Sequence, residues 1–134
     1  EELVSTASLP KTILALAGVD VGNAMIGENL LDVVEKKDDN RPNEVFAQIS
    51  ESRVGRCIRT ARYTYSVYAP GVNGGEAAAA GRYADDFLYD MEEDPHQLNN
   101  VVASPAYAQV KEELRARLLD WIEKAEGVRP VIAD

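Results

Sequence analysis

The sequence predicts an α+β fold: a small antiparallel sheet of about four strands with one long C-terminal helix packed on a face, preceded by a separate leading helix. Three observations carry this. The spacing of apolar residues changes from helical to alternating after Pro42. Runs rich in β-branched and aromatic residues then follow one another across short gaps, the pattern of a meander. Finally, Pro105 to Glu126 carries one apolar face over a span of ~33 Å, long enough to cross a four-stranded sheet.

The leading element follows Ser5 and Thr6, either of which can cap it, and has Pro10 in its first turn, where a missing N–H costs nothing. Leu9, Ile13, Leu16 and Ala17 recur at helical spacing, and Gly18 is placed as the C′ residue. Because Leu14 and Ala15 are apolar too, the helix Leu9–Ala17 is hydrophobic nearly all round and needs cover on both sides. Val19 to Glu28 reads as a loop and Asn29 to Lys36 as a short helix. Lys37 to Pro42 is a polar break, the natural boundary between two sub-structures.

Beyond the break, Val45, Ala47 and Ile49 alternate with Glu44, Phe46 and Gln48 as a first strand. Val54–Thr60 is a second and Tyr63–Ala69 a third. Pro70 to Gly81, rich in Gly and Ala, reads as a mobile insertion. Phe87–Met91 is a fourth strand, stopped by the turn signal Glu92-Glu93-Asp94-Pro95. The last helix has Ser104 at its N-cap, Pro105 at its first position and Gly127 past its end. Tyr107, Val110, Leu114, Leu118, Trp121, Ile122 and Ala125 line one side of it, with Lys111, Glu112, Arg115, Arg117, Asp120 and Glu123 opposite.

Composition narrows the function. With 134 residues, 14 Lys+Arg and 23 Asp+Glu, the formal charge is −9. A surface this acidic repels phosphate backbones and anionic membranes, so a nucleic-acid partner is disfavoured. No apolar run approaches the ~20 residues of a membrane span, and no signal peptide is recognisable. The chain opens on Glu1-Glu2 with no Met, the expectation being a piece of something longer. Cys57 is the sole cysteine, which excludes an internal disulfide, and a buried strand thiol is the simple reading of it. His96 lacks metal-ligand spacing to a second His or Cys. Asp90, Glu92, Glu93 and Asp94 lack an EF-hand pattern and read as a solvated acidic turn, as do Asp38-Asp39-Asn40. Arg53, Arg56, Arg59 and Arg62 are the sharpest charge feature. Parity separates Arg56 from Arg59, which argues against a single anion clamp. They read as surface partners of the surplus carboxylates, with Arg53 near the hairpin tip open to an anion or sugar contact.

The order of motifs resembles the sulfatase family over nearly the whole chain. Leu3-Val4-Ser5, Leu9-Pro10-Lys11-Thr12-Ile13-Leu14-Ala15-Leu16-Ala17-Gly18-Val19 and Gly27-Glu28-Asn29-Leu30-Leu31 look like the last core helix and the loop that follows it. Val45-Phe46-Ala47, Arg56-Cys57-Ile58-Arg59-Thr60-Ala61-Arg62-Tyr63, Leu88-Tyr89-Asp90-Met91-Glu92-Glu93-Asp94-Pro95, Leu98-Asn99-Asn100 and Ala106-Tyr107 look like the family's C-terminal subdomain. Ser8 departs from the acidic residue common before the Leu-x-Pro-Thr stretch, and Thr64 departs from a basic one.

The resemblance implies an alkaline-phosphatase-like parent enzyme that hydrolyses sulfate esters with a formylglycine made from Cys/Ser-x-Pro-x-Arg. It also implies a divalent cation, Ca²⁺ in most members, held by Asp and Asn in the parent and orienting nucleophile and sulfate. Neither Cys57 nor Ser8 lies in a complete maturation motif, so no catalytic residue, metal ligand or cofactor is expected within this segment. The implied division is 1–37 as the tail of the α/β core and 43–134 as the C-terminal subdomain. By position, Gln48, Glu51 and Arg53 on the first hairpin are the residues expected to reach the substrate pocket. The implied partners are the parent's N-terminal catalytic domain and a sulfated small molecule or sugar, with self-association through Leu9–Ala17 when that helix is uncovered. The alternative is a stand-alone acidic α+β interaction module.

Overall fold

A computed structural model describes residues 2–22, 24–35, 37 and 40–133. The expected end of the short helix at Lys36, Asn23 in the preceding loop, and Asp38 and Asp39 of the polar break lie outside the described residues. The chain divides into two compact units, Glu1–Val45 and Phe46–Asp134.

In the first unit, the Ser5 hydroxyl accepts the Ala7 amide at 3.2 Å and starts a 3-10 turn, Thr6–Ser8. The helix α1 (Leu9–Leu16) continues it, with Pro10 in the first turn and Gly18 in the left-handed region at φ 76°. Asn29 caps the short helix α2 (Leu30–Val34) through its side chain. Thr12 ties the two helices together: its hydroxyl donates to the Ser8 carbonyl at 2.8 Å and accepts the Leu30 amide at 2.9 Å. Ser8, one of the two departures from the sulfatase pattern, is buried and accepts the Glu28 amide at 3.1 Å, so it holds the loop instead of supplying a carboxylate. At Gly27 (φ 94°) a Cβ would meet the Ala7 carbonyl oxygen at 2.8 Å, a close approach only glycine permits. Arg41 fastens the ends of the unit, with Nη2 donating to the Leu3 carbonyl at 2.6 Å and Nε to Glu28 at 2.7 Å. The polar side is therefore well bonded, whereas the apolar side of α1 is bare: Leu9, Ile13 and Leu16 are 48%, 62% and 67% exposed.

The second unit is built on a five-stranded sheet in the order β1-β2-β3-β4-β5, with β1 (Glu44–Ser50) straddling the division. The strands β2 (Val54–Thr60), β3 (Tyr63–Tyr68) and β4 (Arg82–Asp90) pair antiparallel. The strand β4 begins earlier than the alternation suggests because Asp85 and Asp86 mask the β pattern; both carboxylates are paired in the fold. A fifth strand, β5 (Val131–Ala133), runs parallel to β4 and is too short to announce itself in sequence.

The long helix is α3 (Ala108–Glu126), entered through a 3-10 turn at Pro105–Tyr107 and closed by Gly127 at φ 73°. Ser104 takes the extended cap conformation but makes no side-chain cap bond; its carbonyl accepts the Tyr107 amide instead. Leu114, Leu118 and Ile122 are buried against Val54, Ile58, Tyr65, Val67, Tyr83 and Leu88 of the sheet. Trp121 stacks on Phe46 with centroids 6.3 Å apart. Lys111 and Arg115, expected on the solvent side of the helix, instead reach Asp85 at 2.9 and 3.1 Å. Ala125, expected on the core side, is exposed.

The Pro70–Gly81 segment is irregular, as expected, but it is anchored at three points and not a free insertion. Gly74 packs on the hairpin backbone, the Ala78 carbonyl accepts Arg56 Nη2 at 2.7 Å, and the Ala80 amide donates to the Tyr83 hydroxyl at 3.1 Å.

Candidate functional site

The β1–β2 hairpin carries the three residues singled out from sequence. Gln48 is exposed near the end of β1, and its parity with Phe46 sends it to the α3 side of the sheet. Glu51 is exposed in the turn itself. Arg53 shares parity with Gly55 and Cys57 and lies on the opposite face. The tip therefore presents polar groups to both sides, and Gln48 and Arg53 do not converge.

Arg53 is about half exposed, pairs with Asp86 on β4, and lays its guanidinium 5.6 Å from the ring centroid of Tyr68 on β3. A β-bulge makes this possible. The ladder pairs Ser66 with Phe87 and Val67 with Asp85, leaving Asp86 over. Two consecutive side chains, Asp86 and Phe87, can then turn to the same face. Asn100 braces the strand by donating to the Asp86 carbonyl at 3.0 Å and accepting the Leu88 amide at 3.0 Å. Arg53, Tyr68 and Asp86 thus form a cation, an aromatic plane and a carboxylate in a row. Tyr68 was legible as a strand position, but Asp86 could not be found without the bulge.

The other arginines take different roles. Arg62 keeps part of its side chain in solvent and reaches exposed Glu92 at 3.0 Å, but its main partner, Asp90 at 2.7 Å, is buried at 2% exposure and not in a solvated turn as expected. Arg59 donates to the Thr64 hydroxyl at 3.1 Å, so the second departure from the family pattern still serves the ladder. Arg56 overturns the surface reading: it is 2% exposed, and its guanidinium bonds Glu126 and the carbonyls of Ile49, Gly55 and Ala78.

Cys57 is a mostly buried thiol. Burial pushes its pKa up to about 11; Arg59 pulls it down and Asp86 pushes it up by smaller amounts. A thiol so protonated is a poor nucleophile. The acidic turn is also occupied internally. Asp90 accepts from Arg62, the Glu92 amide and the Tyr107 hydroxyl, and Asp94 accepts the Asn99 amide at 2.7 Å. Arg62 first of all, then these other donors, hold the Asp90 carboxyl below the usual range, although its burial works the other way. Among the described residues, no group of three or more His, Cys, Asp and Glu side chains is arranged to hold a metal ion.

The sheet and helix are those of sulfatases. A Bacteroides thetaiotaomicron VPI-5482 chain described as a sulfatase superposes with a TM-score of 0.67 at 26% identity, covering 89% of this chain and 24% of that one. BT4656, solved in complex with its substrate D-glucosamine-2-N,6-O-disulfate, superposes with a TM-score of 0.73 at 21% identity, covering 92% of this chain and 24% of that one. Two ulvan-active sulfatases of Formosa agariphila are 25% and 23% identical, over 94% and 86% of this chain. The chain spans 30% and 21% of the length of these two relatives. The family described as N-sulphoglucosamine sulphohydrolase, C-terminal, matches residues 1–124, and the chain belongs to it. The stand-alone interaction module is accordingly not favoured.

Proposed function

We propose that this chain is the C-terminal portion of a longer sulfatase, with 1–37 closing the α/β core and 43–134 forming the subdomain that completes the fold and lines one rim of the substrate pocket. The observation that carries the reading is the family match across residues 1–124 in a chain that spans only about a fifth to a third of its sulfatase relatives. The bare apolar side of α1 supports it, because Leu9, Ile13 and Leu16 call for cover by more protein. The parent's N-terminal catalytic domain is the proposed partner, and a sulfated sugar the proposed substrate.

In that enzyme the hairpin tip is the rim, with Gln48, Glu51 and Arg53 as substrate contacts. Arg53 suits an anionic or hydroxyl group because nearly half its side chain stays open to water while Asp86 and Tyr68 fix its orientation. The formylglycine and the Ca²⁺ of the family belong to the part upstream. The described carboxylates here do not fit a cation site, since Asp90 and Asp94 are already spent on protein donors, and no step is assigned to a metal in this segment.

The test is the full-length enzyme assayed with Ca²⁺ against a panel of sulfated sugars, with Arg53→Ala beside the wild type. The expected result is sulfate release by the wild type and a raised KM at unchanged kcat in the variant. A full-length coding sequence without Cys/Ser-x-Pro-x-Arg would overturn the reading, and so would a KM indifferent to Arg53, Glu51 and Gln48 together.

A further inference from the structure

We propose that Arg56 is a positioning residue that locks the hairpin tip, the 70–81 loop and the end of α3 into one rigid rim, and so sets the placement of Arg53. The inference rests on the reading of the hairpin as a pocket rim and goes beyond it by naming what holds that rim in place.

Arg56 sits where three chain segments meet. Its Nη1 donates to the Ile49 carbonyl at the end of β1 at 3.3 Å and to the Gly55 carbonyl at 2.7 Å. Its Nη2 donates to the Ala78 carbonyl at 2.7 Å, and its Nε to Glu126 in the last turn of α3. The guanidinium also lies 5.8 Å from the ring centroid of Tyr83, whose hydroxyl takes the Ala80 amide of the same loop. Only a planar fork with several donors can serve these directions at once; a lysine ammonium offers its charge at a single point. The side chain is essentially fully buried, so its bonds are not exchanged for water.

Gly74 completes the lock from outside. A Cβ there would lie 2.7 Å from the Glu51 carbonyl oxygen and 3.0 Å from the Arg53 carbonyl carbon. The loop backbone therefore rests directly on the backbone of two of the three proposed contact residues. Arg56 grips the same loop four residues on, at Ala78, and the same hairpin from its other flank, at Ile49. Freeing the loop frees the tip.

The test uses Arg56→Lys and Gly74→Ala in the full-length enzyme, read by hydrogen exchange and by kinetics on sulfated oligosaccharides cut from ulvan. Amides of 50–54 and 72–80 are expected to exchange faster while those of β3 and β4 keep their protection. KM is expected to rise about tenfold at near-constant kcat, an order below the roughly 10²-fold that a 1 Å misplacement at a reacting centre can cost. Gly74→Ala acts from the loop, outside the core, and reports even if Arg56→Lys fails to fold. Faster exchange at 50–54 and 72–80 with an unchanged KM, in an enzyme where Arg53→Ala does raise KM, overturns the positioning role alone. An enzyme whose KM is unmoved by Arg53→Ala, Glu51→Ala and Gln48→Ala together overturns the rim reading itself. Unchanged exchange in both variants refutes the lock.

Discussion

Asp85 offers the sharpest test of how the second unit is held together. Its carboxylate accepts the Tyr65 hydroxyl, Lys111 Nζ at 2.9 Å and Arg115 Nη2 at 3.1 and 3.2 Å. The three charged side chains are only 12–20% exposed. Asp85→Ala would leave two cations facing each other and a phenol without its acceptor. Removing one partner of a buried pair costs about 3–5 kcal/mol, and the residual hydration here points to the lower end, about 3 kcal/mol. At ~3–4 °C per kcal/mol for a domain of this size, the midpoint should fall by ~10 °C. Urea unfolding followed by the fluorescence of Trp121, the single tryptophan, reads this unit directly. Arg115→Met placed on Asp85→Ala should restore part of the loss, since it removes one of the two cations that Asp85 had neutralised, the one that also holds Glu112 at 3.2 Å. Burial alone would raise the Asp85 pKa, but Tyr65, Lys111 and Arg115 together hold it below the usual carboxylate range. Its contribution is therefore complete above the unfolded value of ~3.9 and is lost as pH falls from there through the native one. Asp85→Asn should flatten that acid limb. A variant within 1 kcal/mol of wild type, with an unaltered acid limb, would refute the reasoning.

Other expectations follow from single features. Cys57, with its pKa at about 11, should react with a thiol reagent at pH 7 orders of magnitude more slowly in the folded chain than in urea; equal rates would contradict its burial. The chain on its own should bind a hydrophobic dye or self-associate through α1, and Ile13→Glu with Leu16→Glu should abolish both; a clean monomer without dye binding would count against an uncovered helix. Gly127→Ala forces a side chain into φ 73° and should cost about 1 kcal/mol by urea unfolding, with no change in m. Leu118→Ala, at a position with no exposure, should cost about 2–5 kcal/mol, and a smaller loss would mean that α3 is not seated as described.

The helices and central strands were legible because their signals are local. Val54–Thr60 carries the β-branched residues Val54, Ile58 and Thr60 at even spacing, and Gly127 marks the end of α3 by a conformation few other residues adopt. What could not be read depends on partners remote in sequence. Asp85 and Asp86 argue against a strand until Lys111, Arg115 and Arg53 are placed beside them. Val131–Ala133 is a strand only because Arg82–Ala84 offers an edge. Arg56 reads as a surface charge among surplus acids, and its cradle of carbonyls is completed only when the 70–81 loop brings Ala78 to join Ile49 and Gly55. At the candidate site, parity was enough to separate Arg53 from Arg56, but the bulge that supplies Asp86 leaves no trace in the residue pattern.

The short parallel strand at the margin of the sheet has a practical consequence. The family match stops at residue 124, yet Glu126, Gly127 and Val131–Ala133 all lie beyond it. A protein trimmed to that boundary would lose the carboxylate facing Arg56, the residue that stops α3, and the three-residue ribbon shielding the flank of Arg82–Ala84. Unshielded strand margins recruit one another between molecules, so the trimmed form should precipitate at a lower concentration than the 134-residue form. Ten residues outside the recognised homology would then decide whether the rest can be handled at all.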